Sequence, residues 1–263
     1  MYDYHTHSSF SDDCSIPMEK MVQTAKDMGV RMYAVTDHYD PDYPADEQFN
    51  LDFENYHRKQ NLVQELYNTK DFKMLKGIEI GLQAGDGTIQ KCTETVKYPY
   101  DFVIGSFHCI NYKDIWKPFH ENMTPEKATG IYYEYILETI NKFSDFNVLG
   151  HINALDRYIP YIPDFTPYRE IVSEILKLLI SRDKGLEINT SSFRYNMGNL
   201  TMPSDEILKM YRELGGTIIT FGSDSHFPEH ICYRYDWAME YLKSFGFKTL
   251  TVFENRVPEF VNI

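Results

Sequence analysis

Residues 216–226 read GTIITFGSDSH, a short apolar run rich in β-branched residues that ends in Ser223-Asp224-Ser225-His226. A run of this length and composition fits a buried strand. In an extended chain side chains at i and i+2 share a face, so Asp224 and His226 point the same way from its end.

The same arrangement recurs along the chain. Further candidate strands are 2–5 (YDYH), 32–36 (MYAVT), 74–80 (MLKGIEI), 101–106 (DFVIGS), 147–151 (NVLGH) and 185–190 (GLEINT), with an eighth, 249–253 (TLTVF), coming late. The first ends in His5-Thr6-His7 and the second in Thr36-Asp37-His38; the third carries Glu79, the fourth runs into His108 and the fifth ends at His151.

Segments of helical period separate these runs: 17–28, 53–68, 125–142, 167–182, 204–214 and 235–245. In the first, Ser15 is the expected cap, Pro17 suits the opening turn, Met21, Val22, Ala25 and Met28 form one apolar face, and Gly29 stops the helix. Ser204 followed by Asp205 and Glu206 is a start signal, and Gly215-Gly216 a stop. Segments 39–52 and 82–100 read as loops.

Alternating strands and helices build parallel β/α units. Seven strands, each leading into a loop or helix, predict one domain over residues 1–263, an α/β barrel whose strand ends converge on a single rim. An open, doubly wound sheet is the alternative, since it produces the same alternation.

Convergence gives the ligand-type residues their meaning. Six of the nine histidines (5, 7, 38, 108, 151 and 226) fall at strand ends, whereas His57, His120 and His230 do not. Taken singly, each has an ordinary structural explanation. Taken together with Glu79 and Asp224, also at strand ends, they predict a metal site at the rim. Imidazole with carboxylate suits zinc, manganese or iron better than calcium or magnesium.

Composition narrows the partners. The 26 lysines and arginines against 39 acidic residues leave a charge of −13, which repels long nucleic acid and anionic membranes. No apolar stretch is long enough to span a bilayer and the start lacks a signal-peptide layout, so a cytoplasmic protein is expected. Cys14, Cys92, Cys109 and Cys232 are scattered with no Cys-x-x-Cys pair and read as reduced structural thiols.

The blocks HTH, TDH, GIE, SFH, GHI and SDSH, in order from residue 5 to 226, make the whole chain resemble the PHP (polymerase and histidinol phosphatase) superfamily. IGSFH, GHINALDRY and LEINTSSFR look most like its histidinol-phosphatase branch. The resemblance implies a distorted (β/α)7 barrel with two to three divalent transition-metal ions (Zn, Mn or Fe). It implies that His5, His7, Glu79 and Asp224 hold one ion, that Glu79 bridges to a second held by His108 and His151, and that His38, His226 and Asp13 hold a third, with Asp12 as the fallback.

The implied reaction is hydrolysis of L-histidinol phosphate in histidine biosynthesis, by attack of a metal-bridging hydroxide, with Asp224, Glu79 and His226 in the catalytic role. Arg157 and Arg194, following strands five and six, are the expected phosphate contacts. Asn189 and Ser106 are weaker candidates, and Phe193 and Tyr158 are placed to pack against a substrate ring. One departure is that Asn153 stands where that branch commonly has aspartate.

Alternatives keep the fold but change the outcome. They are a phosphoesterase for another small ester such as a nucleotide or sugar phosphate, and a catalytically idle metal-binding module. Amide hydrolysis on a related barrel lacks its carboxylated-lysine candidate, because His108 occupies that neighbourhood.

Overall fold

The computed structural model describes residues 1–44, 49–117, 119–195, 197 and 201–263. In chain order these form β1 (Tyr2–Asp3), α1 (Met18–Asp27), β2 (Met32–Val35), β3 (His38–Tyr39), α2 (Phe53–Tyr67), β4 (Lys73–Gly81), α3 (Asp86–Thr95), β5 (Phe102–Ser106), β6 (Cys109–Ile110), β7 (Lys113–Asp114), α4 (Pro125–Lys142), β8 (Val148–Leu149), α5 (Arg169–Ser181), β9 (Gly185–Asn189), α6 (Asp205–Glu213), β10 (Ile219–Gly222), α7 (Tyr235–Ser244), β11 (Thr249–Glu254) and β12 (Val257–Asn262).

Seven strands pair in parallel in the order β1-β2-β4-β5-β8-β9-β10. The ends of that row meet: Tyr4 N donates to Phe221 O at 2.9 Å, Asp224 N to His5 O at 2.8 Å and His7 N to Ser225 O at 2.8 Å. Closure decides for the barrel and against the doubly wound sheet. It also explains the uninterrupted apolar runs, because these strands are covered by helices outside and by packed side chains within.

The inside is filled at one end by Tyr4, Ala34, Leu75, Phe102, Ile104 and Val148. Beneath them lies β11, the eighth predicted strand, which forms but stays out of the barrel. It pairs antiparallel with β12 through a turn at Asn255 and Arg256, both at positive φ, as a tight two-residue hairpin requires. Tyr4 Oη donates to Phe253 O at 2.9 Å, fixing this hairpin as a plug. The opposite end is therefore left for the ligand-bearing rim.

Between β2 and β3 the ladder with β4 is interrupted, although Val35↔Lys76 and His38↔Glu79 keep one register. A Cβ on Gly77 would sit 2.6 Å from Thr36 Cγ2, so only glycine allows the two backbones this close. Tyr56 Oη and Gln60 Nε2 of α2 each donate to Gly77 O at 2.8 Å. The carbonyl is satisfied by the helix rather than by the sheet.

Four local expectations are corrected. Ser15 does not cap α1, whose cap position is Pro17 with no side-chain bond, and Met18 takes the buried place expected for Met28, which is 42% exposed. Residues 86–95, read as loop, are α3. That helix buries Thr88, Cys92 and Thr95 instead of an apolar stripe, so the signal that finds helices is missing. Within 39–52, the first residue ends β3, and 45–48 lie outside the described residues.

Candidate metal centre

All nine expected ligands lie at the open end of the barrel. Glu79, at the centre, is fully buried; its Oε2 lies 3.1 Å from His5 Nε2, 3.6 Å from His7 Nε2 and 3.1 Å from His38 Nδ1. Its Oε1 lies 3.0 Å from His151 Nε2 and 3.4 Å from His108 Nε2. One carboxylate thus faces five imidazoles from four separate segments of the chain.

Asp224 closes the other side. Its Oδ1 is 3.5 Å from His7 Nε2, 3.9 Å from His5 Nε2 and 3.7 Å from His226 Nδ1. Asp224 is at φ 54°, a left-handed conformation that aspartate tolerates better than most residues. Arg194 Nη2 holds that turn by donating to the carbonyls of Ser223 and Asp224, both at 2.8 Å.

Farther out, Asp13 Oδ2 lies 3.1 Å from His226 Nε2 and 3.8 Å from His38 Nε2. Asp12 is turned away, and its Oδ2 accepts from the amide of Phe49. Of the two acids, geometry brings Asp13 to the cluster.

Three residues the sequence reading passed over hold the imidazoles in place. Glu187 of β9 puts Oε1 2.6 Å from His5 Nδ1 and accepts with Oε2 from His151 N at 3.0 Å. Asp40 lies 2.9 Å from His108 Nδ1. Asp37 accepts from Ser8 and Ser11, and Ser11 Oγ is 3.1 Å from His7 Nδ1. A carboxylate or hydroxyl behind an imidazole sets which ring nitrogen faces inward, the arrangement that orients metal-binding histidines.

Two glycines make room for these partners. A Cβ at Gly222 would fall 1.8 Å from Glu187 Oε1, and one at Gly81 would fall 1.8 Å from Asp40 Oδ1. Each glycine sits at the end of a rim strand. A signal was present in sequence: Glu187 is a lone charge inside an apolar strand, Glu79 likewise sits between two isoleucines, and Asp40 follows His38 by two.

The electrostatics are those of a site built for cations. Burial opposes charge on Glu79, but His5, His38 and His108 hold its carboxyl well below the usual range. Burial likewise opposes charge on Asp224, overcome by His5, His7 and Arg157. On His5 burial is outweighed by Glu187, Glu79 and Asp224, which raise it well above 6.5. Burial, with His226 and His38, pushes His7 down to about 3.

The donor set fits metal ions. His5 Nε2, His7 Nε2, His38 Nδ1 and Glu79 Oε2 are buried and have no hydrogen-bond partner among the described residues, although they face one another. Five overlapping trios of ligand atoms each fall within 4.8 Å, including His5-His7-Glu79, Glu79-His108-His151 and His7-His38-His226. Unpaired buried nitrogen and oxygen are costly in an apolar fold and are expected where a cation belongs.

A cavity of about 270 Å³ lies above the cluster, walled by Tyr43, Phe49, Trp116, Tyr158 and Tyr195. Arg157 reaches its floor: Nη2 donates to Ser191 Oγ at 2.6 Å and pairs with Asp224 Oδ2 at 3.2 Å. Arg194 and Asn189 are not among its walls. Asn189 Nδ2 donates to Glu187 Oε2 at 3.0 Å, and its Oδ1 accepts from Ser191 N at 3.0 Å.

The remaining candidates separate cleanly. Ser106 Oγ donates to Glu79 Oε1 at 2.6 Å, which makes it a support for that carboxylate. Phe193 packs edge-on against Trp237, away from the cavity. Asn153 is turned from it as well, its Nδ2 donating to Asp156 and to Thr201 O. His57 bonds Tyr100, His120 bonds Trp116 O, and His230 packs on Phe227, so none of the three joins the cluster.

Comparison with known proteins places this geometry. The chain is 31% identical to a histidinol-phosphatase of Lactococcus lactis over 95% of its own length and 93% of the relative's. It is 28% identical to a probable histidinol-phosphatase of Clostridium acetobutylicum over 99% of both. A crystal structure of the L. lactis histidinol phosphate phosphatase, complexed with zinc, L-histidinol and phosphate, matches with a TM-score of 0.87 over 98% of both chains at 31% identity. A putative histidinol phosphatase of Listeria monocytogenes shares the fold, with a TM-score of 0.75 at 20% identity over 90% of this chain and 99% of that one. The PHP domain model matches residues 3–191, a span holding seven of the nine rim ligands, and the chain belongs to the PHP domain family.

Proposed function

We propose that this protein hydrolyses L-histidinol phosphate to L-histidinol and phosphate. The observation that carries the reading is the convergence of six histidines with Glu79, Asp224 and Asp13 beneath a cavity with a guanidinium on its floor. It is supported by the L. lactis relative, whose crystal structure holds zinc, L-histidinol and phosphate.

Two to three divalent transition-metal ions, with zinc, manganese or iron all compatible with the donors, fit the three groupings. His5, His7, Glu79 and Asp224 would hold one, Glu79, His108 and His151 a second, and Asp13, His38 and His226 a third. When bound, such ions supply Lewis acidity toward phosphoryl oxygens and lower the pKa of water.

The chain's own groups do the rest. Arg157 Nη2, beside Asp224, donates to a non-bridging phosphoryl oxygen and orients the ester for in-line attack. Asp224, kept ionised by its neighbours, takes a proton from the attacking water at Oδ1. The new P–O bond forms as the ester P–O bond breaks, and the proton taken by Asp224 is the one the departing alkoxide needs. Glu79 and His226 position donor atoms around that water, while Arg194 and Asn189 position Asp224 and Glu187.

The aromatic walls exclude water from the phosphoryl group and offer faces to an imidazole ring. The four cysteines are free and buried, which supports a reducing, cytoplasmic setting. No helix among the described residues is long and apolar enough to cross a membrane.

The test is a kinetic comparison of L-histidinol phosphate with nucleoside monophosphates and sugar phosphates after reconstitution with defined metals. The reading expects histidinol phosphate to lead in kcat/KM by orders of magnitude. A preference for a nucleotide or sugar phosphate would reassign the substrate, and full activity in metal-free protein would remove the mechanism.

A further inference from the structure

Behind the turn that carries Arg157 lies a second cavity, of about 250 Å³, enclosed by α4, residues 153–165 and the start of α6. It shares no lining residue with the metal cavity. Asp156, Asp164 and Glu206 line it, no basic side chain does among the described residues, and Tyr133 and Tyr168 give it aromatic walls.

Carboxylates alone would not make a site. Two further groups do: Asn153, 1% exposed, and Thr129, 5% exposed, each line the cavity with a side-chain oxygen that has no partner among the described residues. The orientation of Asn153 is set by its own amide, because Nδ2 donates to Asp156 Oδ2 at 2.9 Å and to Thr201 O at 3.1 Å. Its Oδ1 is therefore an unused acceptor.

The lining selects a class of ligand. Acceptors and carboxylates call for a donor carrying positive charge, and aromatic faces favour a cation with an apolar body. The volume equals roughly eight waters at ~30 Å³ each, more room than a bare inorganic ion fills. Burial pushes the Asp156 carboxyl up to about 6, a cost that a neighbouring cation offsets.

We propose that this cavity binds a small organic ammonium ion, whose N–H groups donate to Asn153 Oδ1, Thr129 Oγ1 and the Glu206 carboxylate beside the charge of Asp156, while its carbon body lies against Tyr133 and Tyr168. The proposal does not rest on the phosphatase reading, since it is tested by binding without turnover.

The experiment titrates the full chain, loaded with zinc and saturated with inorganic phosphate so that the metal cavity is filled, with benzylammonium chloride in a calorimeter. Benzyl alcohol, its neutral counterpart, and potassium chloride are titrated in parallel. One saturable site for benzylammonium is expected, with benzyl alcohol and potassium failing to occupy it. Thr129→Val and Glu206→Gln are each expected to weaken binding by about tenfold, the worth of one charged or buried hydrogen bond. Glu206 lies in the exposed first turn of α6, so its variant remains informative where Thr129→Val fails to fold.

Absence of saturable benzylammonium binding overturns the proposal. So does equal binding of benzyl alcohol, which would mean that charge is not read, or occupancy by potassium alone. Unchanged affinity in a folded Glu206→Gln variant overturns it too.

Discussion

Replacing Glu187 by glutamine changes one atom of the buried network around His5 and removes one negative charge. In the native arrangement Oε1 faces His5 Nδ1 at 2.6 Å, and Oε2 accepts from His151 N and Asn189 Nδ2, each at 3.0 Å. Glutamine has one acceptor oxygen for these two sides. If that oxygen faces the two donors, the NH2 faces His5 Nδ1, which must then accept. The ring proton moves to Nε2, the atom directed at Glu79 and proposed to hold an ion. If the oxygen faces His5, the NH2 is driven against two N–H groups.

Both outcomes weaken the centre without opening a cavity. Partners behind metal-binding histidines are typically worth 10- to 100-fold in metal affinity, or about 1.4–2.7 kcal/mol. The loss of charge acts in the same direction, because Glu187 is the foremost of the carboxylates that raise His5 against burial. The assay is competition for zinc against a chromophoric chelator at fixed pH, with circular dichroism to establish folding. A folded Glu187→Gln variant whose zinc affinity stays within about twofold of the parent would refute the reasoning.

Other outcomes follow from the same geometry. Asp13→Asn should lower the number of ions retained per chain, measured by elemental analysis after gel filtration, whereas Asp12→Asn should not. Gly222→Ala places a Cβ 1.8 Å from Glu187 Oε1 and should cost roughly 1–3 kcal/mol of stability in chemical denaturation, with metal affinity falling as well. Burial raises Asp3 from 3.8 to about 6, so between those values the folded chain binds its proton more tightly than the unfolded chain. Its contribution is present at low pH and lost as pH rises through that window, roughly 2 kcal/mol of it between pH 4 and pH 6, which the difference in unfolding free energy between parent and Asp3→Asn at those two values measures.

Much of this molecule was readable from strand ends. A barrel strand covered on both faces must be apolar along its length, so Glu79 within GIEI and Asp224 after TIITFG stood out against their surroundings. What escaped depended on which strand lies beside which. Glu187 stands out in LEIN by the same rule, yet its role required knowing that β9 neighbours β10, whose Gly222 leaves room for it to reach His5. Asn189 and Arg194 sit at the expected end of the barrel but face its frame, a distinction of side-chain direction that spacing does not carry. Helix α3 was hidden for a different reason, since it packs with threonine and cysteine.

The depth of each ligand argues for an order in which ions are held. His5, His7 and Glu79 are fully buried, and each imidazole is backed by a carboxylate or by a serine tied to one. At the outer grouping Asp13 is 44% exposed and His226 is backed only by the Asp224 carbonyl. Exposure lets water compete for the ion and leaves the Asp13 side chain free to lose and regain its place, whereas the inner imidazoles are buried and fixed from behind. Graded addition of a chelator should therefore remove the ion at Asp13, His38 and His226 first. Activity should fall in that phase while the melting temperature holds, and the melting temperature should drop only when the inner ions leave. A single concerted loss of all ions, with activity and melting temperature falling together, would show that Glu79 and the shared imidazoles couple the groupings too tightly for this order.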